Sequence, residues 1–182
     1  MRVRRTVLML AAFLVPVAGC GPSRGDGNAG TLGTSAEIGE VKLRNVYVER
    51  PDDGAHRPGD SARVAFTVVS SENADDRLTA VTTGHAREVR INWDQHCDGT
   101  AEPVTALPLR NGGVPGPADR AVTGHLPYHL TLVGFTREVL AGTTVPLTFT
   151  FARAGTVTVD AMVQPRDPSD APGAYACGAT PL

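Results

Sequence analysis

The chain has 182 residues, of which 41% are hydrophobic and 20% are charged, and its formal net charge at pH 7 is −2. This length and hydrophobic content are sufficient for one domain with a single buried core. The lysines and arginines are scattered and form no basic stripe with interleaved aromatic residues, so we expect no nucleic acid partner.

The first 19 residues have the layout of an export signal. Arg2, Arg4 and Arg5 precede an apolar run from Val7 to Ala18. This run is about a dozen residues long, whereas a helix that spans a bilayer needs about 20. We therefore predict that residues 1–19 are a signal peptide. Its removal takes away three arginines and no acidic residue, so the formal net charge changes from −2 to −5.

Cys20 follows small residues at the end of this signal. The sequence Val17-Ala18-Gly19-Cys20 resembles the lipobox of bacterial lipoproteins, in which the cysteine is diacylated and the peptide is cut before it. We predict that lipidated Cys20 anchors the chain to the cell membrane on its extracytoplasmic face. A plain secretory signal with an incidental cysteine is the alternative. Residues 20–36 are rich in small and polar residues, which predicts a flexible tether after the lipidated cysteine.

Residues 37–165 contain several segments in which apolar and polar side chains alternate, as in half-buried β-strands. No helical periodicity longer than about two turns is found. Glycine and proline turns separate the segments, so we predict an all-β, antiparallel Greek-key sandwich or barrel. The predicted strands are Val41–Val48, Ala62–Val69, Leu78–Thr83, Val89–Trp93, Val145–Phe151 and Val157–Val163, the last two forming a hairpin.

Seven landmarks follow one another along this domain: Asn45–Pro51, Asp75–Thr83, Val89–Asn92, Asp98-Gly99, Tyr128–Gly134, Leu140–Phe151 and Ala154–Val159. In order and spacing they resemble the PCuAC family of extracytoplasmic copper chaperones, over about Val41 to Val163. The resemblance implies a cupredoxin-like β-sandwich that holds copper. It also implies delivery of copper, by ligand exchange, to an envelope acceptor protein such as an oxidase copper centre.

The copper motif of that family is His-x10-Met-x21-His-x-Met, in which imidazoles and soft thioethers suit Cu(I). His129 matches the second histidine, and Thr131 occupies the position of the methionine that follows it. Alignment on the landmarks places Asn92 at the first histidine and Ala106 at the first methionine. Counting strictly by spacing places His96 and Leu107 there instead. Both methionines are missing in either alignment.

The resemblance therefore leaves a degenerate metal site. His129 could be a retained copper ligand, with His125 and with His96 or Cys97 brought beside it by the loops. Alternatively, His129 remains only for packing and a hydrogen bond. The carboxylates Asp94, Asp98 and Glu102 could shift the preference of the site toward Cu(II) or zinc, or could be a solvated rim. Met162 is predicted to fill the core, and His56 and His85 are predicted to be solvated loop residues.

Cys97 and Cys177 are the thiols that remain once Cys20 is lipidated. Outside the cytoplasm such a pair usually forms a disulfide, which would tie the irregular tail, residues 166–182, to the loop that contains Cys97. The alternative is a reduced Cys97 that serves as a metal ligand beside His96.

No motif for nucleophilic catalysis, zinc hydrolysis or phosphate binding is found, so we predict that the protein is not an enzyme. Two functions remain open. One is a membrane-anchored copper chaperone, and the other is a metal-free β-sandwich interaction module that has lost the copper site.

Overall fold

The computed structural model describes residues 33–71, 75–115 and 126–165. Within these ranges the chain forms β-strands and no helix. The strands are β1 (Thr34–Ile38), β2 (Val41–Val48), β3 (Ala55–His56), β4 (Ala62–Ser70), β5 (Asp76–Thr82), β6 (Ala86–Trp93), β7 (Glu102–Val104), β8 (Leu107–Leu109), β9 (Tyr128–Phe135), β10 (Val139–Leu140), β11 (Thr144–Phe151) and β12 (Gly155–Val163).

Ten of these strands form one sheet with the order β7-β6-β9-β4-β2-β12-β11-β5-β8, and β1 pairs with the first part of β2. The two strands at the ends of this order, β7 and β8, are consecutive in the chain and separated only by Thr105 and Ala106. The sheet therefore curls until its two edges approach each other. Its neighbouring strands are antiparallel except β12 and β2, which are parallel. The short strands β3 and β10 pair separately.

Alternation along the strands places one face of the curled sheet in a common core. In β4 every second residue from Ala62 to Ser70 is buried, and in β11 the buried set includes Leu147 and Phe149. Phe66 of β4 contacts both Phe149 of β11 and Tyr128 of β9, with ring centroids 5.6 and 5.1 Å apart. Since Phe149 is 0% exposed, its burial contributes about 1.5–3 kcal/mol to folding.

A buried carboxylate fixes the hairpin between β11 and β12. Asp76, which is 5% exposed, accepts hydrogen bonds from the backbone N–H groups of Arg77 and Arg153 on Oδ1, at 2.7 and 2.9 Å. Its Oδ2 accepts one from Ala154 N–H at 3.0 Å. Backbone N–H groups that are shielded from water need a hydrogen-bond acceptor, and the Asp76 carboxylate supplies it for all three.

The all-β fold and the six predicted strands are confirmed, as is the hairpin of β11 and β12. The eight-residue strand β9, the short strands β3, β7, β8 and β10, and β1 were not predicted as strands. β1 begins at Thr34, inside the segment expected to be the tether. Ile38 is the one large apolar residue of β1, so the alternation of apolar and polar side chains that predicts a strand is weak there. None of the described segments forms a helix long and apolar enough to cross a membrane.

Two predictions about single residues are wrong. Met162 is 36% exposed and does not fill the core, because it lies on the outward-facing positions of β12. His56 is not a solvated loop residue. It is 7% exposed in β3, its ring stacks on Phe135 with centroids 4.9 Å apart, and its Nε2 lies 2.9 Å from the Glu49 carbonyl oxygen.

Candidate functional site

The pairing of β6 with β9 brings three predicted site positions together. Asn92 of β6 lies directly opposite His129 of β9, and Arg90 lies opposite Thr131. Directly paired residues share one face of a sheet, so Asn92, His129 and Thr131 form a cluster on the outward face. The Asn92 side chain donates a hydrogen bond from Nδ2 to Thr131 Oγ1 at 2.9 Å. The register therefore places Asn92, and not His96, beside His129.

His129 is half-buried, and its environment favours the neutral imidazole. Burial is the main cause that lowers its pKa to about 4, and the positive charge of Arg63 lowers it further. The buried Nδ1 atom has no hydrogen-bond partner within the described part of the chain. At neutral pH this side chain is consequently an uncharged imidazole with an unused ring nitrogen, which is the form that binds metal ions.

Two arginines flank Thr131 across the sheet, Arg63 from β4 and Arg90 from β6. Each guanidinium is ion-paired: Arg63 Nε lies 3.4 Å from Glu49 Oε1, and Arg90 lies 2.9 Å from both carboxylate oxygens of Glu88. The four charges sum to zero. A cation that approaches the cluster therefore meets neutralised pairs and not two free positive groups.

The loop after β6 carries His96 and Cys97 and is organised by a buried aspartate. Asp94, only 1% exposed, accepts hydrogen bonds from Asp98 N–H on Oδ1 at 3.1 Å and from Gly99 N–H on Oδ2 at 2.8 Å. Its own N–H donates to the Pro127 carbonyl at 2.7 Å, which holds the loop against the start of β9. The expectation that Asp94 belongs to a solvated rim is therefore wrong.

His96 and Cys97 differ in exposure although they are adjacent. The His96 side chain is exposed, whereas Cys97 is 8% exposed and has a positive φ of 53°. The Cys97 Sγ lies 3.9 Å from the carbonyl oxygen of Asp94. The loop thus presents His96 to solvent at the same end of the sheet as His129.

The remaining predicted site residues lie outside the described ranges or away from the cluster. Cys20, His125 and Cys177 are outside the described residues. Met162 is on β12, three strands from β9, so about 14 Å of sheet separates it from His129. Among the described residues no three His, Cys, Asp or Glu side chains gather closely enough to hold a metal ion.

Two features of the site were not predicted from the sequence: the positions of Arg63 and Arg90 on either side of Thr131, and the role of Asp94 in holding the loop after β6. Arg63 lies 66 positions before His129 and only the β4–β9 register brings it to Thr131, so the linear sequence contained no signal for it. Asp94 could have been found from the pattern Asp94 followed by Asp98-Gly99, since aspartates often cap tight turns that contain glycine.

The fold is similar to three solved PCuAC domains. The structure titled "apo PmoF2 PCuAC domain" matches with a TM-score of 0.55 and 24% identity, over 76% of this chain and 99% of that one. "Copper-bound PCuAC domain from PmoF2" matches with 0.53 and 22%, over 72% and 98%. "Apo PCuAC domain from PmoF1" matches with 0.51 and 20%, over 72% and 99%.

These likenesses show that the chain has the β-sandwich fold of PCuAC domains, as the resemblance of the landmarks implied. A comparison with curated protein sequences gave no match. The chain belongs to the family described as "Putative lipoprotein LpqE-like", whose model matches residues 41–163.

Proposed function

We propose that this protein is a lipid-anchored extracytoplasmic protein that binds copper with its PCuAC-type domain and passes it to an acceptor protein of the cell envelope. The family description as a lipoprotein and the signal before Cys20 support the anchor. The likeness of the fold to a domain solved with copper bound supports copper as the ion that this protein carries. Transfer proceeds by exchange of ligands between the two proteins and needs no catalytic group.

The observation that carries this proposal is the state of His129. Its imidazole is neutral at pH 7, and its buried Nδ1 has no hydrogen-bond partner within the described ranges. Leaving a buried polar atom unpaired costs about 1–3 kcal/mol. The Nδ1 atom of His85 is also buried without a partner among the described residues, so the match of His129 to the second histidine of the copper motif is what favours a metal ligand here.

The described residues fit copper only in part. His129 is a suitable ligand, while the hydroxyl of Thr131 and the amide of Asn92 are weak ones. In this proposal the further ligands are His96, from the loop at the same end of the sheet, and His125, which is outside the described residues. One ligand from the sheet and others from loops would also allow the ion to leave by exchange.

The tether sets how far the domain can move from the membrane. If Cys20 is the anchor and β1 begins at Thr34, about 13 residues connect them. A flexible chain of this composition and length has an end-to-end distance of about 20 Å. The domain would therefore stay near the membrane surface, where a membrane-bound acceptor presents its own site.

We further propose the disulfide between Cys97 and Cys177. The burial of Cys97 and its positive φ are consistent with a fixed position in a bonded loop. The closed loop of about 80 residues would stabilise the fold by roughly 4 kcal/mol in the chain-entropy model. A thiol count on the unfolded, unreduced mature chain carrying Cys20→Ser tests it, because two reactive thiols per molecule would disprove the bond.

A metal-free interaction module is the second candidate function. The hydrogen bond between Asn92 and Thr131 favours this function. The resemblance expects copper ligands at these two positions, but here the two side chains bond to each other. On this view the outward face of β4, β9 and β6 binds another envelope protein directly.

Copper titration against a competing chelator separates the two functions. The mature chain with Cys20→Ser is compared with its His129→Gln variant and with His85→Gln as the matched control. His85 is also half-buried with a lowered pKa, but it precedes β6, about 23 Å from Asn92 along the strand. Sub-micromolar binding that is lost only in His129→Gln supports copper binding. Equal absence of binding in all three proteins refutes it.

A further inference from the structure

The outward side of the sheet is exposed over β12 and shielded over β4 and β9. Each of these three strands has a neighbouring strand on both sides. In β12 the outward residues from Thr156 to Met162 are all exposed, whereas those of β4 from Arg63 to Val69 and of β9 from His129 to Val133 are all half-buried. On β6 the outward Asn92 is only 6% exposed. The difference indicates that further chain covers the outward side of β4 and β9, which is called the shielded face below.

A recess lies in the middle of the shielded face, over Ala65. This residue lies opposite Tyr47 of β2, and it follows the pair of Val64 with Leu130, so it is also next to His129. Because its side chain is small, a recess of about 160 Å³ is left above it. The residues that line the recess include Asn45, Tyr47, Arg63 and Thr67. A cavity of about 150 Å³ can hold a benzene molecule, so the recess has room for one side chain of a covering segment.

The chain leaves the last strand beside the shielded face. After β12 the N–H of Gln164 donates a hydrogen bond to the carbonyl of Val48 at 3.0 Å, so the chain passes the end of β2. Residues 166–182 follow, and they include Pro168 and Pro172. A proline has no N–H to donate to a β-ladder, so this sequence is unsuited to form a further strand of the sheet. It is better suited to lie across strands than alongside one.

The proposed disulfide would give this segment a second fixed end, because it joins Cys177 to Cys97. The registers of four neighbouring strands place these residues on one row: Val48, Val64, Leu130 and Ile91. The row is three strand spacings wide, or about 14 Å, and Cys97 lies in the turn that follows Trp93, so the two ends are roughly 20 Å apart. Residues 164–177 can span about 43 Å when extended. The segment is therefore long enough to reach from one end to the other.

The direct path between these two ends crosses the shielded face. It starts beside Val48 on β2 and ends beyond Trp93 on β6, so it passes Ala65 on β4 and His129 on β9. The inward side of the sheet is filled by the hydrophobic core. The outward side is therefore the side on which a segment can cross these strands.

The charges at the start of this path complement the charges of the segment. Arg50 follows Glu49, whose N–H donates a hydrogen bond to the Arg63 carbonyl, so both arginines lie near the end of β2. The first acidic residues after β12 are Asp167 and Asp170. Carboxylates that leave the sheet beside two guanidiniums are attracted toward the shielded face and not away from it.

We propose that residues 166–177 form a strap that crosses the shielded face, covers Ala65 and His129, and is held at its far end by the bond between Cys97 and Cys177. This inference rests on the proposed disulfide and not on copper binding. A partner protein or an ion that uses the shielded face has to displace the strap first. The strap is thus an autoinhibitory contact for either candidate function.

Nuclear Overhauser effects test the position of the strap in the mature chain carrying Cys20→Ser, kept without reductant. We expect contacts between the methyl group of Ala65 and protons of residues 166–177. The methyl group of Ala80, on the outward side of β5, is the matched control and should show none. Contacts from Ala65 to residues 116–125, or to a second molecule in a sample of mixed isotope labelling, would assign the cover to another segment and overturn the inference. The absence of any contact would overturn it as well.

Release of the strap should expose His129. The same chain is compared with its Cys177→Ser variant by the rate at which diethyl pyrocarbonate modifies each histidine, read by mass spectrometry. We expect His129 to react severalfold faster in the variant. His56, which stacks on Phe135, should react slowly in both proteins and reports that the fold is intact. Equal rates for His129 would show that the disulfide does not hold the strap, and would overturn that part of the inference.

These readouts are independent of the copper titration. Failure of copper binding leaves the contacts of Ala65 and the reactivity of His129 as predicted, and failure of the strap leaves the copper affinity to be measured on its own. The thiol count shows separately whether the disulfide forms.

Discussion

Removing the carboxylate of Asp94 tests whether this buried side chain builds the loop that carries His96 and Cys97. It accepts two hydrogen bonds from backbone N–H groups and is 1% exposed. Hydrogen bonds to a charged group contribute about 1.5–3 kcal/mol each, and part of this is recovered when water reaches the freed amides. We therefore expect Asp94→Ala to lower the free energy of unfolding by about 2–4 kcal/mol.

Asp94→Asn should have an intermediate effect, because the amide keeps one oxygen acceptor and replaces the other with a donor. Urea unfolding followed by the fluorescence of Trp93 measures the free energies. Asp98→Ala is the matched control from the same loop. Asp98 is exposed and accepts one local hydrogen bond from Thr100 N–H, so its loss should cost about 0.5–1 kcal/mol.

Hydrogen exchange provides a second and more local readout for the same change. In Asp94→Ala the amides of Asp98 and Gly99 should lose their protection while amides in the centre of β11 retain it. The reasoning is refuted if Asp94→Ala costs no more than Asp98→Ala, or if the two loop amides exchange as slowly in the variant as in the parent chain.

Three further predictions follow from the fold. Asp76→Ala should lower the free energy of unfolding by about 3–5 kcal/mol, since it leaves three backbone N–H groups without an acceptor; exposed Asp160→Ala, as control, should change it by less than about 0.5 kcal/mol in the same urea assay. Gly113→Ala should cost about 1–3 kcal/mol, because φ is +134° and the new Cβ would lie 2.9 Å from the Val68 carbonyl oxygen; an unchanged melting temperature would contradict this. The third prediction concerns pH. The pKa of His129 is 6.5 in the unfolded chain and about 4 in the folded chain, so below pH 6.5 the unfolded chain binds a proton that the folded chain does not. The free energy of unfolding is therefore highest above pH 6.5 and decreases as the pH falls from 6.5 to 4. After allowance for partial exposure we expect about 1–2 kcal/mol more stability loss between pH 7.5 and 4.5 in the parent chain than in His129→Gln, and equal losses in the two proteins would show that His129 is not responsible.

The site was only partly predictable from the sequence. His129 and the substitution of Thr131 for a methionine could be identified because a resemblance depends on order and spacing along the chain. The choice between Asn92 and His96 as the partner of His129 could not be made by counting. It depended on how many residues the loop before Leu107 inserts, and the register of β6 with β9 resolved it.

Solvent exposure of single polar residues was the least predictable feature. His56 stands beside turn-forming residues and Asp94 is a charged residue that follows a strand, both of which indicate surface, yet both residues are buried. Each is held by a residue distant in sequence: the Pro127 carbonyl accepts the Asp94 N–H, and the His56 ring stacks on Phe135. Local composition cannot report such partners.

The amino-acid sequence by itself determined the all-β class and the positions of six long strands, while β9 (Tyr128–Phe135), which carries His129, was a landmark of the resemblance and not a predicted strand. Alternation with a period of two is a local property, and the hydrophobic effect acts on it in the same way wherever the strand lies in the sheet. The tertiary structure alone decided which side chains meet on the outward face around His129. That choice depends on strand order and register, because a shift of one residue would turn each of these side chains to the opposite face.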